Sequence, residues 1–175
     1  MWLDSSNMPY DAGLTPGAEI MLSKGTTTLR PAHRSEAGAI AQLSRLHVEH
    51  GLRWRWRPAR VKRSIDDAET MVLVATVEGQ LAGFAVMKFG DLDAHLHLLA
   101  VDPFFRRNGI ASDLVAWLEA SCRTAGMRQV RLEVRLRNRP AHRFYARLGY
   151  DVVGRIPGYY DQTESALVFS KSLGA

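Results

Sequence analysis

The chain has 175 residues, 46% of them hydrophobic, so it can close one domain around a full core but is short for two. A formal net charge of +5, with arginine in large excess over lysine, fits a partner that carries negative charge, nucleic acid or a phosphorylated small molecule, and fits equally a solvated basic surface. The single cysteine, Cys122, excludes an intrachain disulfide; apolar runs such as Met71 to Val77 fall well short of the ~20 residues a membrane helix needs; and the N-terminus, with Asp4, shows no basic segment ahead of an apolar core, so a cytoplasmic protein with no membrane partner is expected.

Residues 1–25 are rich in Gly, Pro, Ser and Asp without periodicity and read as an extension or irregular lead-in to a domain spanning 26–175. Thr27 to Pro31 reads as a short strand. Ser35 to Glu49 follows as a helix, with Ser35 at its N-cap and Ile40, Leu43, Leu46 and Val48 turned to the core. The connection from Gly51 to Pro58 contains Arg53-Trp54-Arg55-Trp56-Arg57, where aromatic and cationic groups alternate, and it leads to a second helix at Ala59 to Asp67. Two readings of that connection compete. Either it recognises an acidic or aromatic ligand, or its tryptophans pack on the body while its arginines are solvated. His47 and His50 lie one helical turn apart, but no third ligand is in view and no metal is expected.

Met71 to Val77, the Glu78-Gly79 turn and Gln80 to Lys88 form a hairpin. The strand from Ala94 continues the antiparallel meander, with Leu96, Leu98 and Ala100 on one face and His95, His97, Leu99 and Val101 on the other; His97 reads as structural. From Gly109 the period becomes helical, Ile110, Leu114, Leu118, Cys122 and Ala125 recurring on one side until Gly126 stops the helix. Between strand and helix lies Arg106-Arg107-Asn108-Gly109. The unbonded N–H groups of a first helical turn, the positive end of its dipole, the lack of bulk at Gly109 and Ala111 and the two arginines together make a site for a pyrophosphate. Cys122 sits on the apolar stripe and is a packed thiol rather than a nucleophile.

A strand at Gln129 to Arg137 precedes a well-signalled helix, with Asn138 as N-cap, Pro140 in its first turn and Gly149 past its end. Its core stripe is Ala141, Phe144 and Leu148, with Tyr145 at the edge, where a ring packs while the hydroxyl aims into a cleft. Tyr150 to Ile156 and Ser165 to Leu173 form a terminal strand pair.

Arg106-Arg107-Asn108-Gly109-Ile110-Ala111 fits the pattern Gln/Arg-x-x-Gly-x-Gly/Ala, and Leu132 to Tyr150 runs strand, Asn, helix carrying Tyr, then Gly-aromatic. In this order and separation the two signatures resemble the GNAT superfamily of N-acetyltransferases over about residues 26–173, most nearly its ribosomal-protein-alanine type. The resemblance implies an α/β (α+β) fold whose mixed, mostly antiparallel sheet splays between its fourth and fifth strands and is flanked by helices. It also implies acetyl-CoA as cosubstrate and direct transfer of acetyl to a primary amine in a ternary complex. By the same resemblance acetyl-CoA is held at the turn by Arg106, Arg107, Asn108, Gly109, Ile110, Ala111 and Ser112, along an unpaired strand edge by the N–H groups of Leu99 and Val101, and from the later helix by Asn138 and Arg147. Trp54, Trp56, Tyr159 and Tyr160 are then expected to border the acceptor. The segment Gly158 to Leu167 is similar to the Tyr-Tyr…Asp-Ala segment of N-terminal acetyltransferases, with Ser165 where Asp is usual.

Amide formation on an amine needs a free lone pair on the acceptor, a stabilised oxyanion and a proton for the departing thiolate. An α-amine, with pKa near ~8, arrives protonated, so a base is required. Glu133 and His95 are the candidates, one on each of the strands expected to part. Glu133 matches the proposed base of the resembled type, and His95 a position where several GNAT enzymes place Glu or Tyr. The competing reading of Glu133 is a surface charge ladder with Arg131 and Arg135. Tyr145 matches the family's general acid. A protein N-terminal α-amine is the leading acceptor; a small amine such as a polyamine, aminoglycoside or amino acid is the alternative and would differ only around Trp54, Trp56 and Tyr159. A non-enzymatic CoA-sensing or nucleic-acid-binding module would have no use for Tyr145 and Glu133. Monomer and homodimer both fit the chain.

Overall fold

The computed structural model describes residues 19–22 and 25–174. Glu19–Leu22 (β1), Gly25–Pro31 (β2), Thr70–Val77 (β3), Gln80–Phe89 (β4), Asp93–Val101 (β5), Gln129–Arg135 (β6), Asp151–Tyr160 (β7) and Glu164–Ser172 (β8) form one sheet in the order β1-β2-β3-β4-β5-β6-β8-β7. Neighbours are antiparallel except β5 and β6, which run parallel. The lead-in expected at 1–25 falls mostly outside the described residues; within it Glu19–Leu22 is a strand paired to β2, not irregular chain. With β1 set aside, β5 and β6 are the fourth and fifth strands, as the family resemblance implied.

Ala37–His47 (α1) and Pro58–Asp66 (α2) cover one face of the sheet, where Ile40, Ala41 and Val61 pack on Val74, Phe84, Val86 and Leu98. Ile110–Thr124 (α3) and Arg139–Arg147 (α4) cover the other, where Leu114, Leu118, Cys122 and Tyr145 meet Leu73, Met87, Leu96, Leu132 and Phe169. Each buried Val, Leu, Ile, Phe or Met side chain contributes roughly 1.5–3 kcal/mol on leaving water, so the sheet is held between two apolar layers. Burial, with Glu119 adding to it, pushes the Cys122 thiol up to about 12, as befits a packed rather than reactive sulfur. No helix among the described residues is long and apolar enough to cross a membrane.

Several local expectations change. Ser35 is not an N-cap: α1 is entered through a 3₁₀ turn at Arg34–Glu36, whose Glu36 accepts from the His33 N–H at 2.7 Å and from both terminal nitrogens of Arg30 at 2.8 Å. Leu46 is 59% exposed because it lies off the buried side of α1, which Ile40, Leu43 and Ser44 form. Ala125 is exposed at the end of α3, where Gly126 reverses the chain at φ +77°.

The largest correction concerns β5. Leu98 pairs with Val86 and Leu96 with Met87, so His97 is an extra residue opposite no partner, a β-bulge. A strand alternates sides, and one inserted residue reverses the alternation. Leu96 therefore faces α3, whereas Leu98 and Ala100 face α1 and α2, instead of all three sharing one side.

Candidate active site

β5 and β6 pair only at Asp93 with Gln129, Ala94 with Val130 and His95 with Arg131. Beyond these, β5 stays with β4 and β6 stays with β8, so the two strands part from Leu96 onward. The gap is a cleft of about 580 Å³ lined by Leu96 to Leu99, Leu132 to Arg135, Tyr145 of α4, the connection after α1 and the β7–β8 turn. The Asp102 N–H donates to Ala82 O at 2.8 Å, toward β4, while Val101 O accepts from Arg106 Nε at 3.0 Å on the opposite side. Strand alternation then turns the N–H groups of Leu99 and Val101 toward the gap.

At the end of β5 the chain turns through Arg107 at φ +66° and Gly109 at φ +82°, both left-handed. A Cβ at Gly109 would meet nothing closer than Asp113 Oδ2 at 3.6 Å, so backbone conformation rather than crowding calls for glycine. Asn108 braces the turn by donating from Nδ2 to Phe105 O at 3.1 Å. Helix bonding begins with Asp113 N–H to Gly109 O at 3.0 Å, which leaves the N–H groups of Ile110, Ala111 and Ser112 as the unbonded donors of the first turn. The donor set, the left-handed turn and the exposed Arg106 and Arg107 fit a pyrophosphate. Asn138 lines the cleft and caps α4, its Oδ1 accepting from the Ala141 N–H at 3.2 Å. Arg147, expected at the cofactor, is exposed on the last turn of α4 and does not line the cleft.

Glu133 stands at the cleft wall. Its Oε2 lies 2.6 Å from His95 Nε2 and accepts from the Tyr159 hydroxyl at 3.3 Å, and the Tyr160 hydroxyl donates to its carbonyl at 3.2 Å. Burial alone would raise the Glu133 carboxyl, but the hydrogen bond and charge of His95, with Tyr159, outweigh it and hold the group below its usual range. The charge ladder does not form, because Arg135 is taken by Glu164 at 2.8 Å and by His50 O at 2.8 Å. His95 does not flank the cleft beside Glu133 as expected. It lines a second, smaller groove, which Glu133 shares, with Arg131, Ile156 and Val168. His97, thrown out by the bulge, lines the cleft itself, with ring centroids 4.4 Å from His95 and 5.9 Å from Trp56. Burial, then the neighbouring charges of His95 and Arg60, lower its pKa to about 4, so it is neutral near pH 7.

Tyr145 is not at the edge of α4's inward stripe but at its centre. It is 7% exposed, while Ala141, Phe144 and Leu148 are only partly covered. The cause is what folds around it: β8 brings Phe169, and the chain after α4 brings Tyr150, to ring distances of 6.0 and 5.5 Å. Its hydroxyl has no hydrogen-bond partner among the described residues, and the residue lines the cleft. Burial, with Tyr160 adding to it, pushes this phenol well above the usual tyrosine range.

The tryptophan connection is organised by a residue that no local pattern marks. Glu49 is buried, and its carboxylate accepts from the N–H groups of Arg55 at 2.6 Å and Trp56 at 3.2 Å and from the Ser44 hydroxyl at 3.1 Å. Its partners are main-chain donors of the next loop, which side-chain spacing does not encode. Trp56 is buried, with Arg60 4.1 Å above its ring, and lines the cleft. Trp54 does not line it; it packs outside and donates from Nε1 to Trp56 O at 3.1 Å. Asp161, in the β7–β8 turn, accepts from the Arg53 N–H at 2.6 Å and the Arg55 guanidinium at 2.9 Å, tying the two loops together beside Tyr159 and Tyr160. Glu49→Ala would leave two buried donors unpaired, so a loss of about 2–3 kcal/mol is expected in denaturant unfolding. A loss under about 0.5 kcal/mol would mean that water replaces the carboxylate at no penalty.

Residues 39–150 match the Acetyltransferase (GNAT) family, and the chain belongs to it. It is similar to the N-alpha-acetyltransferase of Sulfurisphaera tokodaii, 26% identical over 158 residues that cover 83% of this chain and 92% of that one. Ard1 from Thermoplasma volcanium superimposes with a TM-score of 0.74 at 28% identity, covering 83% of this chain and 97% of its own. The ribosomal-protein-S18-alanine N-acetyltransferase of Escherichia coli does so with a TM-score of 0.72 at 22% identity, covering 85% and 95%, a likeness of fold. The chain spans a little under two thirds of the length of other curated relatives it matches, and structures of the same fold complexed with coenzyme A are among its neighbours.

Proposed function

We propose that this chain is a cytoplasmic N-acetyltransferase that moves acetyl from acetyl-CoA directly to the α-amine of a protein N-terminus. The observation that carries the reading is Glu133, ionised and bonded by His95 and Tyr159, at the wall of a cleft that Tyr145, its hydroxyl unbonded, also lines. The likeness to an N-alpha-acetyltransferase supports the choice of acceptor.

Acetyl-CoA supplies the activated acetyl thioester. Arg106, Arg107, Asn108 and the N–H groups from Gly109 to Ser112 would hold its pyrophosphate; the open edge of β5 at Leu99 and Val101 would receive its arm, with Asn138 beside it. Glu133 Oε accepts a proton from the acceptor ammonium. The β5 N–H groups stabilise negative charge on the carbonyl oxygen, and Tyr145 Oη gives a proton to the leaving sulfur. Tyr159, Tyr160 and Trp56 border the acceptor.

The reading is tested by a hydrolysis-corrected screen of peptides with free N-termini against polyamines and aminoglycosides. Acetylation of peptide α-amines supports it; acetylation confined to small amines overturns the acceptor. Cofactor binding has its own test. Valine is strained at φ +82°, by about 1–3 kcal/mol, and its branches would crowd the turn, so Gly109→Val should fold yet bind acetyl-CoA much more weakly by calorimetry. Affinity equal to wild type would refute the pyrophosphate assignment.

A further inference from the structure

Five arginines (Arg53, Arg55, Arg60, Arg135 and Arg137) and four carboxylates line the cleft, a formal surplus of one positive charge. Glu49, Glu133, Asp161 and Glu164 are its carboxylates, and each is already engaged: Glu49 by loop N–H groups, Glu133 by His95 and Tyr159, Asp161 by Arg53 N–H and the Arg55 guanidinium, Glu164 by Arg135 and the Arg137 N–H. Arg55 and Arg135 are thereby paired. The guanidiniums of Arg53, Arg60 and Arg137 line the same cleft and meet no carboxylate among the described residues. In two of the three the main chain is pinned by an acidic side chain while the cation is left over: Asp161 holds the Arg53 N–H at 2.6 Å, and Glu164 holds the Arg137 N–H at 3.2 Å. Arg60 is set in place over the Trp56 ring.

A site that receives only an ammonium would be expected to carry surplus negative charge. The coenzyme's pyrophosphate fits the turn at Arg106–Ser112, outside the cleft lining, and a thioester is uncharged, so neither calls for these guanidiniums. From this we infer that the acceptor brings its own anion: the peptide taken has an acidic residue next to its reacting N-terminal residue or one further on. This rests on the acceptor class proposed above. The carboxylate meets the arginine surplus while the amine meets Glu133, and a basic side chain at the same place is repelled.

The test compares kcat/KM for three peptides identical except at the second and third positions, which carry Glu, Gln or Lys. The Glu peptide should exceed the Gln peptide by about tenfold and the Lys peptide by more at low ionic strength, the gap narrowing with salt because the arginines are partly exposed. In the double variant Arg53→Gln, Arg137→Gln, the Glu-to-Gln ratio should fall toward one. A ratio measured on one variant cancels any loss of folded enzyme or of cofactor binding. Equal wild-type rates for Glu and Gln, a preference for Lys, or a ratio that survives the double substitution would overturn the inference while leaving peptide acetylation intact. Failure of all three peptides in an enzyme that acetylates a polyamine would overturn the peptide reading, and this inference with it.

Discussion

Tyr145→Phe should fold normally, bind acetyl-CoA near wild-type affinity and turn over ~10²-fold or more slowly, the scale for losing a positioned acid. The substitution is clean because the hydroxyl has no partner among the described residues, so its removal leaves no unsatisfied group. The ring keeps its contacts with Phe144, Tyr150 and Phe169. Because burial holds the phenol above its usual range, it stays protonated through alkaline pH, and the wild-type rate should show no falling limb from this group up to about pH 10. Single-turnover measurement on a confirmed acceptor decides the matter. A wild-type rate for Tyr145→Phe would reduce the phenol to a packing group.

Glu133→Gln should lose a similar ~10²-fold at neutral pH and recover part of it as pH rises past ~8, where the α-amine is already free. The sign follows from the environment. Glu133 is held below its ordinary value of 4.5, so it is ionised throughout the working range and takes the ammonium proton there; the wild-type rate should stay level from neutral pH down to the acid limb where Glu133 itself is protonated, whereas the variant falls below ~8. A pH profile parallel to wild type would hand the role to His95 or to water. His95→Ala probes the same carboxylate: with the histidine bond gone, only Tyr159 and His97 oppose burial, the Glu133 pKa rises, and the acid limb moves to higher pH than in the parent. An unshifted limb would mean that His95 does not tune the base.

The motifs that could be read from the chain are those built from neighbours in sequence. The turn at Arg106 to Ala111, the helix opened at Gly109 and the Asn138-capped helix each depend on backbone geometry and capping within a few residues, and all appear where the spacing puts them. The two faces of β5 were misread because a bulge at His97 is a property of the pair of strands, not of either alone. Tyr145 was placed at the stripe's edge because helical spacing ranks residues around an axis but says nothing of what packs there; Phe169 and Tyr150, brought in by β8 and the chain after α4, closed over it. Glu49 and Asp161 carried no signal, since each binds the main chain of a loop that only folding brings near.

Sequence alone showed the succession of strands and helices and the glycine turn that opens α3, because local hydrogen bonding and hydrophobic period are short-range properties; the fold class, and Glu133 and Tyr145 as candidates to move protons, came with the family resemblance that those segments carry. The three-dimensional arrangement added what depends on distance between elements: His95 on a second groove rather than in the cleft, Trp54 outside the cleft, His97 within it, and the pairing that satisfies every carboxylate there while leaving Arg53, Arg60 and Arg137 unmatched. Charge balance in a cleft is a sum over groups contributed by separate loops and strands, and no single stretch of chain contains it.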